Sequence, residues 1–219
     1  VLSILIVQRK HKTRSELIFL FLVISVAMWH FGNTISLFSF ILFGKYFLPV
    51  NFIAAAISYA GIGFMPSLLL HTAVSFLFES NPQIKKSPQR LIVMAIYLPV
   101  IPFSMVIKKF ITFEAPDLIA TTSNYVKPFV FWLILSLFIA AGISRWLSKM
   151  VDEKEERKFH LAIFWVVTII AVFIGFTVLL DGNKIPYGGD YLVLVSMLSS
   201  NFPSIIFSYY VYCYKYMEF

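Results

Sequence analysis

The sequence predicts an all-α fold, a polytopic bundle of helices that crosses a membrane. Three observations lead to this prediction: 59% of the residues are hydrophobic, only 13% are charged, and long apolar segments alternate with short basic ones. A soluble domain has about 25% charged residues, because its surface must carry polar groups. Lipid is therefore the solvent that suits this chain. The spans must be helices, since an isolated strand in lipid leaves its backbone groups unpaired.

Apolar segments predict seven spans in a single transmembrane domain that covers residues 1–219. A helix needs roughly 20 residues to cross about 30 Å of hydrocarbon. The segment 1–7 is shorter than this, and we interpret it as the inner end of a truncated first span. The complete spans are predicted at residues 17–43, 51–78, 91–106, 129–147, 161–180 and 191–214.

The basic residues lie at alternate ends of these spans. One set of ends carries most of the 18 Lys and Arg residues, namely Arg9, Lys10, Lys12, Arg14, Lys85, Lys86, Arg90, Arg145, Lys149, Lys154, Arg157, Lys158 and Lys215. Basic residues stay on the cytoplasmic side during insertion, so the N-terminus is predicted outside and the C-terminus in the cytoplasm. The net charge of +7 is divided among short loops. It suits anionic headgroups and offers no continuous stripe for nucleic acid.

Prolines and charges predict where the helices end. Residues 79–90 are interpreted as an inner loop because prolines such as Pro88 break helices, and the span at 91–106 is expected to kink at Pro99. The longest outer connection is predicted at residues 108–128. The charged segment 148–160 is predicted to extend a helix into solvent.

The spans lack the side chains that most membrane chemistry requires. Their central parts hold no Asp or Glu, which cation-coupled transporters commonly need, and no catalytic Ser-His-Asp set. We therefore expect no enzyme activity, and a transporter ranks behind other functions. The single cysteine, Cys213, excludes an internal disulfide and a thiolate-bound metal cluster. A haem shared by His30 and His71 would need both rings at a similar depth, which the predicted spans do not provide, so no cofactor is expected.

A polar side chain is costly in lipid, so those within spans are candidates for function. The first group is Trp29, His30 and Asn33, near the middle of their span. His30 and Asn33 share a helix face and can present a donor and an acceptor to the bundle interior. The alternative is that both only bind neighbouring helices, a contribution to packing of about 1 kcal/mol.

The second group extends from Tyr59 to His71. Gly61 and Gly63 allow another helix or a ligand to approach closely, and Pro66 frees a backbone carbonyl. His71 is predicted to face the bundle interior as a ligand-binding or relay residue. The alternative is a hydrogen bond between His71 and a backbone carbonyl of a neighbouring helix.

The third group is Asn201 and Pro203 in the last predicted span. Asn201 can reach the carbonyl that Pro203 leaves unpaired, and this position is therefore a candidate hinge. Tyrosines such as Tyr209 and Tyr214 follow towards the inner interface, where amphipathic rings anchor a helix. Anchoring is the alternative interpretation of this segment.

These segments resemble spans of the N-terminal seven-transmembrane sensor region of bacterial histidine kinases. The family's second span has a basic start, an aromatic body and a Trp near its middle, as residues 14–29 do here. Its third span is similar to YAGIGFMPSLLLH at residues 59–71. Its last span ends in an aromatic, basic tail like YYVYCYKYMEF at residues 209–219, which leads into cytoplasmic sensory and kinase modules in the family. The resemblance covers nearly the whole chain.

The resemblance implies a membrane-embedded sensory or ligand-binding module of the bacterial cytoplasmic membrane. Such a module relays a signal to a cytoplasmic output such as a histidine kinase. The expected partners are the lipid bilayer, a cytoplasmic output domain or partner protein, a small lipophilic ligand and a second copy of the chain in a homodimer, but no nucleic acid. The alternative is a non-catalytic membrane subunit of a larger complex that binds lipid, quinone or pigment.

Overall fold

Five α-helices make up most of the described part of this chain. A computed structural model describes residues 14–43, 48–80, 86–102, 104 and 118–179. The helices are α1 (Arg14–Phe43), α2 (Leu48–Ser80), α3 (Lys86–Tyr97), α4 (Leu118–Met150) and α5 (Lys154–Leu179). No strand occurs among these residues, which confirms the all-α prediction for them.

Four of these helices are long and apolar enough to cross a membrane, and this supports the transmembrane character. Their spanning parts are Leu17–Phe43, Pro49–Ser80, Pro128–Met150 and Lys154–Gly175. The predicted span 91–106 corresponds to a shorter apolar stretch at Pro88–Pro102. The predicted spans 1–7 and 191–214 lie outside the described residues.

The third complete predicted span differs from the structure at its start. α2 continues to Ser80 and α3 begins at Lys86, so the predicted inner loop 79–90 is wrong at both of its ends. Pro88 lies in the first turn of α3, where a missing N–H breaks no intrahelical hydrogen bond. Where a kink was expected at Pro99, the helix is interrupted: α3 ends at Tyr97, a turn follows at residues 98–99, and the chain is helical again at residues 100–102.

The helix α4 is longer at its start than predicted. It begins at Leu118, so the predicted outer connection 108–128 is wrong from Leu118 onward. Pro128 lies inside the helix. A proline removes one backbone hydrogen bond, but a membrane helix tolerates it when the freed carbonyl finds another partner.

A short turn at residues 151–153 interrupts the helical extension predicted at 148–160. The backbone N–H of Val151 donates to the carbonyl of Leu147 at 3.0 Å, which completes the last turn of α4. The guanidinium of Arg157 then donates to the carbonyl of Val151 at 3.2 and 3.3 Å. These bonds cap the end of α4 at the α4–α5 turn, and buried apolar side chains then pack the two helices against each other.

Two glycines bring α1 and α2 into close contact. A Cβ on Gly32 would lie 2.6 Å from the backbone N of Ser58, and a Cβ on Gly61 would lie 2.5 Å from the backbone N of Trp29. Both distances are below van der Waals contact, so these positions admit no side chain without movement of the helices. Close crossing at small residues is a common way for membrane helices to associate.

The helix α2 is the centre of the bundle, since it packs against α1, α3 and α4, while α5 packs against α4. Three clusters of buried apolar side chains fill the spaces between them. Phe19, Leu68 and Phe159 belong to the first cluster. The second joins α2, α4 and α5, and the third joins α2 to α3.

Candidate functional site

Serine hydroxyls connect α1 to α2 along their crossing. Ser25 donates a hydrogen bond to the carbonyl of Gly61. Ser58 lies within hydrogen-bond distance of the carbonyl of Trp29 at 3.3 Å and of the side-chain oxygen of Asn33 at 3.0 Å. These are neutral helix–helix bonds of the kind that model systems value at about 1 kcal/mol. The structure therefore gives Asn33 a packing partner on α2.

The other candidates of the first group lie beside this crossing. The His30 ring is 4.9 Å from the Trp29 ring, tilted by 33°, and both side chains are half-buried. The hydroxyl of Thr34 donates to the carbonyl of His30 at 2.7 Å. Tyr59, from the second group, is half-buried on α2 and follows Ser58 in the sequence. Trp29 and Asn33 thus lie at the α1–α2 contact, and the ring of His30 lies beside that of its sequence neighbour Trp29.

His71 lies deep in the bundle, on the side of α2 that faces α3. Its residue is 8% exposed, and its Nδ1 is 3.0 Å from the hydroxyl oxygen of Tyr97. The two rings meet edge to face, with centroids 5.6 Å apart. Tyr97 is the last residue of α3, so the break before Pro99 determines where this hydroxyl lies.

One turn before His71, Ser67 links three helices. Its hydroxyl donates to the carbonyl of Ile96 on α3 at 2.7 Å and accepts from the indole N–H of Trp132 on α4 at 3.3 Å. Ser67 is fully buried. We name the four residues Ser67, His71, Tyr97 and Trp132 the polar junction. All of its hydrogen-bonding groups are uncharged when His71 is neutral.

Buried polar atoms without a partner occur in and next to the polar junction. Within the described residues, His71 Nε2, Ser75 Oγ and Ser136 Oγ are buried and make no hydrogen bond; Thr168 Oγ1 on α5 is a further case. Leaving such a group unpaired costs about 1–3 kcal/mol. Native structures contain few of them, and each requires an explanation.

A separate cavity of about 40 Å³ lies between α1, α2, α4 and α5. Its walls are mostly apolar, with Thr72, Ser144 and His160 as polar members. His160 is 2% exposed, and its Nε2 is 3.9 Å from a carboxylate oxygen of Glu156. The His160 ring also meets the Phe76 ring at 5.7 Å. The sequence pattern placed His160 only at the end of a solvated segment and gave no sign of this burial.

The described residues offer no metal centre, since no group of three His, Cys, Asp or Glu side chains comes together among them. Sequence reasoning missed five of the site residues, namely Ser67, Ser75, Tyr97, Trp132 and Ser136. A signal did exist, because Ser67, His71 and Ser75 recur at intervals of one helical turn, as Trp132 and Ser136 do.

Asn201 and Pro203 remain sequence predictions, because they lie outside the described residues. The polar junction is therefore the strongest candidate site in the part of the chain that the structure describes. No protein family, curated protein or solved structure matches this chain.

Proposed function

We propose that this protein is a membrane-embedded sensory module that binds a small lipophilic ligand and relays its presence to a cytoplasmic output. One observation carries the proposal: His71 holds Nε2, a strong hydrogen-bonding atom, inside the bundle without a partner among the described residues. Tyr97 fixes the ring at its other nitrogen. Ionisable groups within membrane spans most often mark a functional site.

The packing of α2 supports a relay from this site. The polar junction joins α2 to α3 and α4, and the far end of α2 is bound to α1 through Glu79 and Ser15. A ligand that prefers one arrangement of these helices shifts the equilibrium by its difference in affinity. We propose that the shift moves the ends of α2 and α4, at Ser80 and Met150.

The proposed setting follows from the basic residues. The protein would have seven spans, an outer N-terminus and a cytoplasmic C-terminus in a bacterial cytoplasmic membrane, and it would signal to a histidine kinase or a similar output. The support is the concentration of Lys and Arg at alternate span ends. Cysteine accessibility at Lys149 and Lys184 from either side of sealed vesicles tests this topology.

Distances between spin labels test ligand binding and relay together. Labels are attached at Ser80→Cys and Met150→Cys in a Cys213→Ser background, and the protein is placed in lipid nanodiscs. The probes are 1-decanol and a decyl-substituted benzoquinone. We expect a probe to change the distance distribution in the parent protein but not after His71→Leu.

A His30→Leu variant is the matched control, because it removes the other predicted membrane histidine. This variant should keep the response to the probe. An equal response in the parent and in the His71→Leu variant would contradict the assignment of the site to His71. If only the His30→Leu variant lost the response to the probe, the ligand site would instead lie at Trp29, His30 and Asn33.

A non-catalytic membrane subunit that binds lipid, quinone or pigment is the alternative. The mostly apolar walls of the cavity between α1, α2, α4 and α5 suit such a molecule, but the cavity would have to widen to hold one, because its volume is about 40 Å³. A visible absorption band in the purified protein, or large subunits that co-purify with it, would favour this alternative over the sensor.

A further inference from the structure

The helices α2 and α4 run in the same direction at the polar junction. Ser67 binds Trp132, and further along both helices Phe76 and Leu147 line one cavity. His71 lies one turn after Ser67, and Ser136 lies one turn after Trp132. Since side chains one turn apart share a helix face, His71 and Ser136 each lie one turn beyond the Ser67–Trp132 contact, on the faces by which these adjacent helices meet.

Three unpartnered atoms therefore belong to one place in the fold. His71 Nε2 and Ser75 Oγ lie a turn apart on α2, and Ser136 Oγ lies on the facing helix. His71 is 8% exposed, Ser75 3% and Ser136 0%. No hydrogen bond joins these atoms to one another or to any other described residue. A single polar group between the helices would satisfy them together, whereas packing alone satisfies none of them.

The chemistry around these atoms selects an uncharged group. The neighbouring hydrogen-bonding groups are hydroxyls and an indole N–H. The carboxylates of the described residues lie within the end turns of helices or in the α4–α5 turn, as Glu79 and Glu156 do. A buried cation here would lack a counter-charge and would be repelled by the positive charge of Arg14, which acts on His71. A buried anion would exchange its water shell for neutral hydrogen-bond donors, with Arg14 acting on it from a distance.

We infer that His71, Ser75 and Ser136 jointly bind the uncharged oxygen of a molecule held between α2 and α4. Serine hydroxyls both donate to and accept from such an oxygen, and His71 Nε2 does either according to its tautomer. This inference rests on the proposed function, because it takes the bound molecule to be the lipophilic ligand. It adds the chemical class of that ligand. The oxygen belongs to water or to the hydroxyl or carbonyl head of a lipophilic molecule.

Nitrogen NMR on histidine-labelled protein in lipid nanodiscs tests the inference. The chain has four histidines, and a His71→Gln spectrum identifies the His71 signals. Magnetisation transfer from water to Nε2 detects a bound water. Probes with the same decyl tail and different heads are then added: 1-decanol, a decyl-substituted benzoquinone, decanoate and decyltrimethylammonium.

We expect 1-decanol or the benzoquinone to shift the His71 Nε2 signal, and the two charged probes to leave it unchanged. Ser136→Ala should weaken binding of the uncharged probe about five- to tenfold, as the loss of one hydrogen bond predicts. Ser144→Ala is the matched control, because it makes the same change in a buried serine of α4 that lines the separate cavity.

The other outcomes separate the two proposals. Water transfer to Nε2 without a response to any probe supports the uncharged oxygen, identifies it as water and contradicts the proposed binding of a lipophilic ligand. A stronger response to decanoate or decyltrimethylammonium than to 1-decanol overturns the inference. The absence of both water transfer and probe responses also overturns it, and an altered signal after Asn201→Leu would then identify a partner within the chain.

Discussion

Glu79, near the end of α2, binds Ser15 at the start of α1 through both of its carboxylate oxygens. One oxygen accepts from the backbone N–H of Ser15 at 3.2 Å, and the other accepts from its hydroxyl at 2.9 Å. The first N–H groups of a helix have no intrahelical partner, and a negative charge there is favourable. A side chain of α2 therefore caps α1 and joins the ends of an antiparallel helix pair.

Replacement of Glu79 should loosen this end of the pair. In Glu79→Ala, Ser15 loses both acceptors, and we expect the free energy of unfolding to fall by about 1–2 kcal/mol. Unfolding in mixed micelles with increasing SDS measures the change. Ser80→Ala is the control, because this exposed neighbour should change stability little. Equal stability of the Glu79→Ala variant and the parent protein would contradict the capping role.

The glycines of the bundle should respond in opposite directions to alanine. Gly61→Ala places a Cβ against the backbone of α1 and should destabilise the protein by about 1–3 kcal/mol. Gly142→Ala meets nothing within 4 Å and should stabilise α4 by about 0.5–1 kcal/mol through helix propensity. The same unfolding measurement compares them, and a change of the same sign in both would refute the close crossing at Gly61.

The contact between His71 and Tyr97 should appear as a coupling energy. Tyr97→Phe removes the hydroxyl that lies 3.0 Å from His71 Nδ1 and leaves that nitrogen without this partner. We expect a loss of about 1–3 kcal/mol. Combined with His71→Leu in a double-mutant cycle, the two losses should not add, because each removes the same hydrogen bond. Strict additivity of the two losses would contradict a direct hydrogen bond between His71 and Tyr97.

The cap of α4 by Arg157 should protect the α4–α5 turn from proteolysis. Arg157→Leu leaves the carbonyl of Val151 without this donor, so cleavage after Glu153 by a Glu-specific protease should become several-fold faster. Lys149→Leu removes a positive charge near the same turn without touching the cap and serves as control. Similar cleavage rates in the two variants would show that charge, and not the cap, protects the turn.

Much of the fold follows from hydropathy alone. The span predicted at 51–78 agrees closely with α2 because a long apolar run has few alternatives to a membrane helix. The start of α4 was predicted wrongly because Pro128 was taken as a boundary, whereas the helix passes through it. The sequence around a proline shows which backbone hydrogen bond is lost. It does not show whether neighbouring helices supply another partner for the freed carbonyl.

The candidate site was predicted only in part. His71 could be found from its cost in lipid, but Tyr97 and Trp132 come from other helices, and no periodicity within α2 indicates them. Asn33 is, like His71, a polar side chain within a predicted span, yet in the structure its side-chain oxygen lies within hydrogen-bond distance of Ser58. Whether a buried polar group remains available depends on contacts distant in sequence.

The order in which the chain emerges during synthesis gives the polar junction a second significance. The α1–α2 pair, with its glycine crossing and its Glu79–Ser15 cap, is complete once residue 80 has entered the bilayer, so this pair can associate as soon as it is inserted. The polar junction must wait for Trp132, which belongs to a later helix. His71 thus stays without its full set of neighbours until α4 arrives. A variant that prevents α4 from docking should leave the α1–α2 hairpin in place, with the face of α2 that carries Ser67 and His71 uncovered on the side of α4.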